Sequence, residues 1–345
     1  MRLLKHIARL QAALQLMPAL EGGDEVLIGG QALLEGVMMR SPHAYAIAVR
    51  KPSGEVVTHS EPLEKLSEKH RWMGWPLIRG VATLSQAMAL GFRALRFSAN
   101  VALEAEEAKA ESEGKAEAKS EAAQGEGRKK KLEISPWMMT LNVLFSLGFF
   151  IFLYKFVPLV ATTKLKELLP VLAGPVAFNL VDGVIRIALF LLFIWGVSLW
   201  ADIKRVYRYH GAEHKTVFAF ESKQPVTVEL AQSFSTYHPR CGTSFLMTVM
   251  LISILFYALA PVETFWARFA VRIALLPVIA GVSFEIIRFA AKYRTSLFAL
   301  MTLPGLWLQR ITTQPPEDSM VECAIVALDQ SMELEKQRGG ELVVA

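Results

Sequence analysis

The feature that most constrains this chain is a set of four long apolar stretches in its second half. Trp137 to Tyr154 carries no charge, and Lys155 follows it at a place from which a lysine can reach back to the interface. Gly183 to Trp200 holds only Arg186, an i,i+4 partner for Asp182. Thr243 to Val262 is uncharged throughout. The stretch between Arg272 and Arg288 contains one acid, Glu285, and suits a short or tilted helix. Each approaches the ~20 residues that a membrane-crossing helix requires. The expected fold class is a mainly α integral membrane protein with about four transmembrane helices. Composition agrees: 53% of the 345 residues are hydrophobic and 20% charged, against roughly 45–50% and 25% in soluble domains.

The remaining pieces are polar and smaller. Residues 1–24 read as an amphipathic helix, because Arg2, Lys5, His6 and Arg9 interrupt any signal-peptide core. Residues 25–103 read as a β-rich cap followed by an interfacial helix. Within them, 44–50 and 55–60 flank Lys51-Pro52-Ser53-Gly54, which predicts a hairpin, and 26–40 predicts one or two more strands broken at glycines. Gly29, Gly30 and Gly36 would serve bends or close packing there, and Glu35 could pair with Arg40. The uncharged run Gly80 to Phe92 is too short to span, so an interfacial or packed helix is expected. Residues 104–131 are an Ala/Glu/Lys-rich linker. The membrane domain occupies 132–310, with a long polar loop at 204–242. Its last apolar run, Leu297 to Leu308 with Pro304-Gly305 inside, reads as interfacial or re-entrant. Residues 311–345 form a soluble helix, with apolar residues recurring at Val321, Ile325 and Leu328.

Charge and cysteine narrow the function classes. A net charge of +5 without a basic stripe excludes a nucleic-acid binder. Two cysteines exclude a disulfide scaffold and fit a reducing compartment. Lysines and arginines gather before the first stretch (Arg128 to Lys131), in the 204–242 loop, and after the last stretch (Lys292, Arg294). By the positive-inside rule both termini and the long loop face the cytoplasm of an inner membrane. The expected partners are the lipid bilayer and a membrane protein.

The long loop carries the chemistry. His210, Glu213 and His214 spell H-x-x-E-H. At about 100° per residue, Glu213 and His214 fall at about 300° and 40° from His210, so all three share one helix face. Two imidazoles beside a carboxylate form the inverted zincin pattern. His238 and Cys241 add H-x-x-C further on, and Glu285 is an ionisable group inside a span. A divalent metal, zinc by ligand type, is the expected cofactor, and the arrangement admits two outcomes. With an open coordination position, Glu213 is the general base of a hydrolase. With His210, His214, His238 and Cys241 all bound, the site is structural, and the thiolate favours that version. The plainer uses are hydrogen bonds of His210 and His214 to Glu213 or head groups, a turn at 238–242 that caps the third span, and an ion pair of Glu285 with Arg288.

Six segments in order carry a family resemblance: GGQALLEGVMMRSP (29–42), WPLIRGVATL (75–84), YHGAEHKTVFAFE (209–221), HPRCGTSF (238–245), SFEIIRFA (283–290) and PEDSMVECAIVAL (316–328). They resemble the YqhQ-like family of bacterial membrane proteins of unknown function, described as predicted metal-dependent enzymes. The resemblance implies His210, Glu213, His214, His238, Cys241 and Glu285 as site residues. Two functions are therefore expected from different classes. One is a metal-dependent hydrolase. The other is a non-enzymatic membrane assembly or quality-control factor, in which the same residues brace the cap and a partner complex docks.

Overall fold

A computed structural model describes residues 28–64, 69–112, 136–260, 262–293 and 296–337. The N-terminal helix and most of the 104–131 linker lie outside these residues. The described chain is mostly helical with one small sheet.

The sheet is a meander of four antiparallel strands: β1 (Gly29–Leu33), β2 (Gly36–Arg40), β3 (Ala44–Arg50) and β4 (Val56–Pro62). The hairpin at Lys51–Gly54 and the two strands either side of Leu34-Glu35 match the expected cap. Strand side chains alternate faces, and here both faces are covered. Val37, Met39 and Ala48 pack towards Tyr209, Ala212, Val321 and Ala324. Leu33, Tyr45, Ile47 and Val49 pack towards Leu90 and Ala94. The second group belongs to α1 (Ile78–Ser112), which thereby becomes a packed helix of the cap. Glu35 pairs with Arg205 and not with Arg40.

The helices after the linker differ from expectation at their ends. α2 (Pro136–Ile151), a π-helical turn at Phe152–Phe156 and α3 (Val157–Leu168) form one rod, with 29 residues from Thr140 to Leu168 apolar enough to cross a membrane. Lys164, Lys166 and Glu167, expected in a loop, lie on its last turns. α4 (Pro175–Val197) begins earlier than Gly183, which sets Arg186 at mid-helix. α5 (Ala201–Glu221) and the short α6 (Val228–Ser233) replace the long loop with helix. α7 (Gly242–Leu259) is the third span. The fourth is a bent pair, α8 (Phe265–Ala274) and α9 (Leu276–Tyr293), with a 47° turn between them. Among the described residues three helices are therefore long and apolar enough to cross, or four if the bent pair counts as one. Their windows are only 11%, 17% and 28% buried in the three unbroken cases, so most of that apolar surface faces outward. Patches of this size are foreign to soluble monomers and point to a membrane protein.

α10 (Ser296–Thr312) runs unbroken through Pro304 and packs along α7. α11 (Asp318–Gln337) is the expected tail helix, but it is not a separate piece. It lies across β2, β3 and α5 with Met320, Val321, Ala324 and Leu328 buried. Its far end is tied to the β2–β3 turn, where Ser41 Oγ and the His43 amide both donate to Glu335 Oε2 at 2.8 Å. His43 Nδ1 lies 2.8 Å from Glu335 Oε1, so this histidine acts as a clasp.

Leu328 is 1% exposed in the layer between helix and sheet. Leu328→Ala should weaken the docking of α11 by about 2–5 kcal/mol, seen as protease cleavage of the tail at lower temperature. The partly buried Ile325→Ala should cost less.

Candidate metal centre

α5 carries the site because its second half is enclosed on all sides. Residues Gly211 to Ala219 are buried between the sheet, α11 and the 234–242 segment, and four of them, Glu213, His214, Lys215 and Thr216, are polar. Buried polar groups need partners, and Lys215, His214 and the neighbouring His210 have found backbone oxygens. Lys215 Nζ donates to the carbonyls of Gln232 and Phe234, both at 2.6 Å. His214 Nδ1 lies 2.6 Å from the Thr236 carbonyl and His210 Nδ1 2.8 Å from the Thr312 carbonyl. Gly211 permits the latter approach, since a side chain there would collide with the Gln314 carbonyl.

These two histidine bonds fix the chemistry of the rings. A carbonyl oxygen only accepts, so Nδ1 of each ring carries the proton, and in the neutral form Nε2 holds the lone pair. The rings stack edge-on with centroids 4.4 Å apart, as the i,i+4 spacing requires. His210 Nε2 lies 3.2 Å from Cys241 Sγ. His214 Nε2 is buried and has no hydrogen-bond partner. Cys241, the N-cap of α7, completes a group in which the ligand atoms of His210, His214 and Cys241 all lie within 4.8 Å of one another. Ligands around one tetrahedral zinc sit roughly 3.5 Å apart, so small side-chain rotations would bring the three onto one ion.

Charge follows the same geometry. Burial alone would lower His210, but the bond to Cys241, the thiolate charge and Glu213 outweigh it and raise the imidazole to about 9. Burial alone would raise Cys241, but the His214 and His210 imidazoles outweigh it and hold the thiol well below its ordinary value. The pair therefore stands as imidazolium and thiolate. Glu213 sits beside the group. Burial pushes its carboxyl up, against the opposing pull of the His210 and His214 charges. It rests on Gly30 of β1, whose amide donates to it. A Cβ at Gly30 would lie 2.7 Å from both Glu213 Cγ and the Met38 carbonyl, which gives the glycine of the cap its reason.

Two residues expected at the site are directed elsewhere. His238 Nδ1 accepts from the Arg240 amide at 3.3 Å, so its proton is on Nε2, 3.6 Å from Glu221 Oε1. That Nε2 is buried without a hydrogen-bond partner but lies outside the group formed by His210, His214 and Cys241, and burial lowers the ring to about 4, so it is neutral. Gln309 brackets the His238 backbone from both sides at 2.8 Å. The 238–242 segment does cap α7, as its turn suggested. Glu285 lies at the α1–α9 contact. Arg79 grips both its oxygens, with Nε to Oε1 at 2.7 Å, in place of the Arg288 pair expected along its own helix.

The group opens onto a cavity of about 680 Å³ where the cap meets the candidate spans. Met88, Phe92 and Leu95 of α1 with Leu246 of α7 form its apolar side, and His210, Glu213, His214, Cys241 and Gln31 its polar side. The α1 wall and the Gly30 seat escaped sequence reasoning, although the apolar run at 80–92 and the paired glycines were their visible traces.

A family model described as "Protein of unknown function (DUF1385)" matches residues 75–334, which include every candidate ligand. The chain is 34% identical over 311 residues to the uncharacterized protein YqhQ of Bacillus subtilis (strain 168), covering 89% of this chain and 92% of that one. No solved structure matches.

Gly30→Val should displace Glu213 and destabilise the cap by about 1–3 kcal/mol, measurable as a lowered unfolding midpoint. Gly29→Val, with open space around its Cβ position, should be the milder change.

Proposed function

The chain belongs to the DUF1385 family, and from that premise we propose that it is a metal-dependent hydrolase, with a divalent ion, zinc by donor chemistry, held by His210, His214 and Cys241. The single observation that carries this is the convergence of the His210, His214 and Cys241 ligand atoms within 4.8 Å of one another, with both imidazoles fixed from behind by backbone carbonyls. Metal-binding histidines characteristically donate their other N–H to a carbonyl or carboxylate, as both rings do here. Because His238 lies outside the group of His210, His214 and Cys241, three protein ligands remain, which supports the open, catalytic version over the closed, structural one.

A bound divalent ion would supply Lewis acidity and lower the pKa of a water in the open position. The chain supplies the rest. Glu213, with its raised carboxyl, takes the proton of the attacking water and returns it to the leaving group. Gln31 lines the same cavity with an amide able to donate to a carbonyl oxygen. The apolar wall of α1 suits a substrate with an acyl or other apolar chain. The basic residues Lys204, Arg205 and Arg208 beside the site put it, on this reading, on the cytoplasmic face of the inner membrane.

A second reading rests on the same hydrogen bonds. His210, His214 and Lys215 tie α5 to the 232–236 segment and to α10, and such a brace would work without an ion while the cap docks a membrane protein partner. Metal content decides between them. Detergent-purified protein should carry about one zinc per chain by mass spectrometry, lost in His210→Ala, His214→Ala and Cys241→Ser. Glu213→Gln should keep the metal and lower ester hydrolysis by roughly 10²–10⁴-fold. Wild type that stays metal-free after reconstitution would leave only the brace.

The pH dependence has a definite sign. His210 must lose the proton it holds up to about 9 before it can bind an ion. Apparent zinc affinity should therefore rise with pH between about 7 and 9, with proton release visible in calorimetry across buffers of different ionisation enthalpy.

A further inference from the structure

The helices that carry the apolar stretches enclose a second polar cluster, remote from the metal group in sequence. Asp182 is its centre. Arg272 Nη1 donates to one carboxylate oxygen at 2.6 Å, and Arg186 Nη2 pairs with the other. Arg186 Nη1 donates to Ser253 Oγ at 2.7 Å, and Arg272 Nη2 to Asn179 Oδ1 at 3.1 Å. Lys155 Nζ donates to the Tyr257 hydroxyl at 2.9 Å, and that hydroxyl donates to the Arg272 carbonyl at 3.1 Å. Lys155, Arg186 and Arg272 lie 5.1, 5.1 and 5.3 Å from the Tyr257 ring centroid. Lys155 was expected to reach back to the interface, and instead it turns inward.

The charges do not balance. Three cations share one carboxylate, and both its oxygens are already taken. Arg268, the next cation outward, lies over the Phe178 ring at 4.1 Å and is matched by Glu263, so it leaves the surplus unchanged. Like charges this close in a low-dielectric interior repel strongly. An ion-pair brace explains Asp182 with one arginine and leaves the other two cations without a counter-charge. Arg186 is 2% exposed, yet its Nε has no partner. Lys155, half-buried, is the member of the cluster that reaches the helix surface.

The backbone is irregular at the same place. Lys155 lies in the π-helical turn Phe152–Phe156, and π-turns within α-helices gather at functional sites. Arg272 lies in the last turn of α8, beside the 47° bend, and the N-terminus of α9 follows at Leu276. Broken helices at membrane depth are a recurrent way to build a polar binding site there.

We propose that Lys155, Arg186, Arg272 and Tyr257 bind a phosphate group between the candidate spans. The surplus of positive charge fits a phosphate, which carries about −1.5 to −2 as a free ion or monoester and about −1 as the diester of a lipid head group. Guanidinium forks match its tetrahedral acceptors, and the Tyr257 hydroxyl would turn its proton from the Arg272 carbonyl to the phosphate. A lipid head group and a soluble phosphate offer the same chemistry, so the test separates them.

The test uses the full-length protein in detergent and reads its thermal unfolding midpoint. One arm titrates inorganic phosphate against chloride at constant ionic strength. The other adds phosphatidylglycerol to the micelles, with phosphatidylcholine as the reference. Wild type should gain several degrees in at least one arm. A response to phosphate identifies a soluble ligand, and a response to phosphatidylglycerol alone identifies a lipid head group. Lys155→Met/Arg186→Gln leaves one cation to one carboxylate and should abolish the response, while Lys164→Met, exposed and paired with Glu167 on the same rod, should keep it. If the double variant does not fold, Lys155→Met alone should reduce the response. No stabilisation of wild type in either arm, or an undiminished response in these cluster variants, overturns the proposal.

Discussion

Two imidazole N–H bonds to backbone carbonyls, at Thr236 and Thr312, hold the organisation of the site. Each fixes a tautomer, and each also joins α5 to a segment distant in the chain. The loop before α7 and the end of α10 are thereby held against the helix that bears H-x-x-E-H. Cys241 reaches the rings because that loop is pinned, by these bonds and by Lys215 as well. Without the pinning, a polar turn at the end of a span would have no reason to keep a thiol 3.2 Å from an imidazole.

The same requirement explains why so much polarity is tolerated inside this part of the molecule. The enclosed half of α5 has the sheet on one side and α11 on another, so only the groups that line the cavity, Glu213 and His214 among them, can meet water. The others must be bonded or paired within the protein. Lys215 is fully accounted for by neighbours. The Nε2 atoms of His214 and His238 are both buried without a hydrogen-bond partner, and what distinguishes His214 is its place beside His210 and Cys241, the three ligand atoms lying within 4.8 Å of one another.

What was legible in the sequence follows periodicity and local chemistry. Apolar runs revealed the candidate spans, Lys-Pro-Ser-Gly a hairpin, and the spacing of His210, Glu213 and His214 a shared helix face, all of which depend on near neighbours. Long-range partner choice was not legible. Glu285 had an arginine three residues away and took Arg79 from another helix, with both oxygens gripped at once. His238 matched a metal-ligand spacing, but an amide two residues on captured its Nδ1. The tail helix was visible as a helix, while its role as one cover of the sheet depended on a β3 strand buried on both faces.

The metal group and the cluster around Asp182 obey one electrostatic rule with opposite signs. In the first, the imidazolium–thiolate pair is balanced as it stands, and on the function proposed above a cation would replace the His210 proton. In the second, guanidinium and ammonium groups converge on a single carboxylate, and the ligand proposed for it is an anion. Neither cluster shows in the net charge of +5, because exposed pairs such as Lys164–Glu167 and Arg208–Glu317 dominate the total. Exposed pairs are screened by water and ions, whereas enclosed charge must be matched locally. The two clusters differ in sign, and α7 links them. Cys241 stands at its start, and Ser253 and Tyr257 lie in its later turns, so a shift of this one helix would be felt at both.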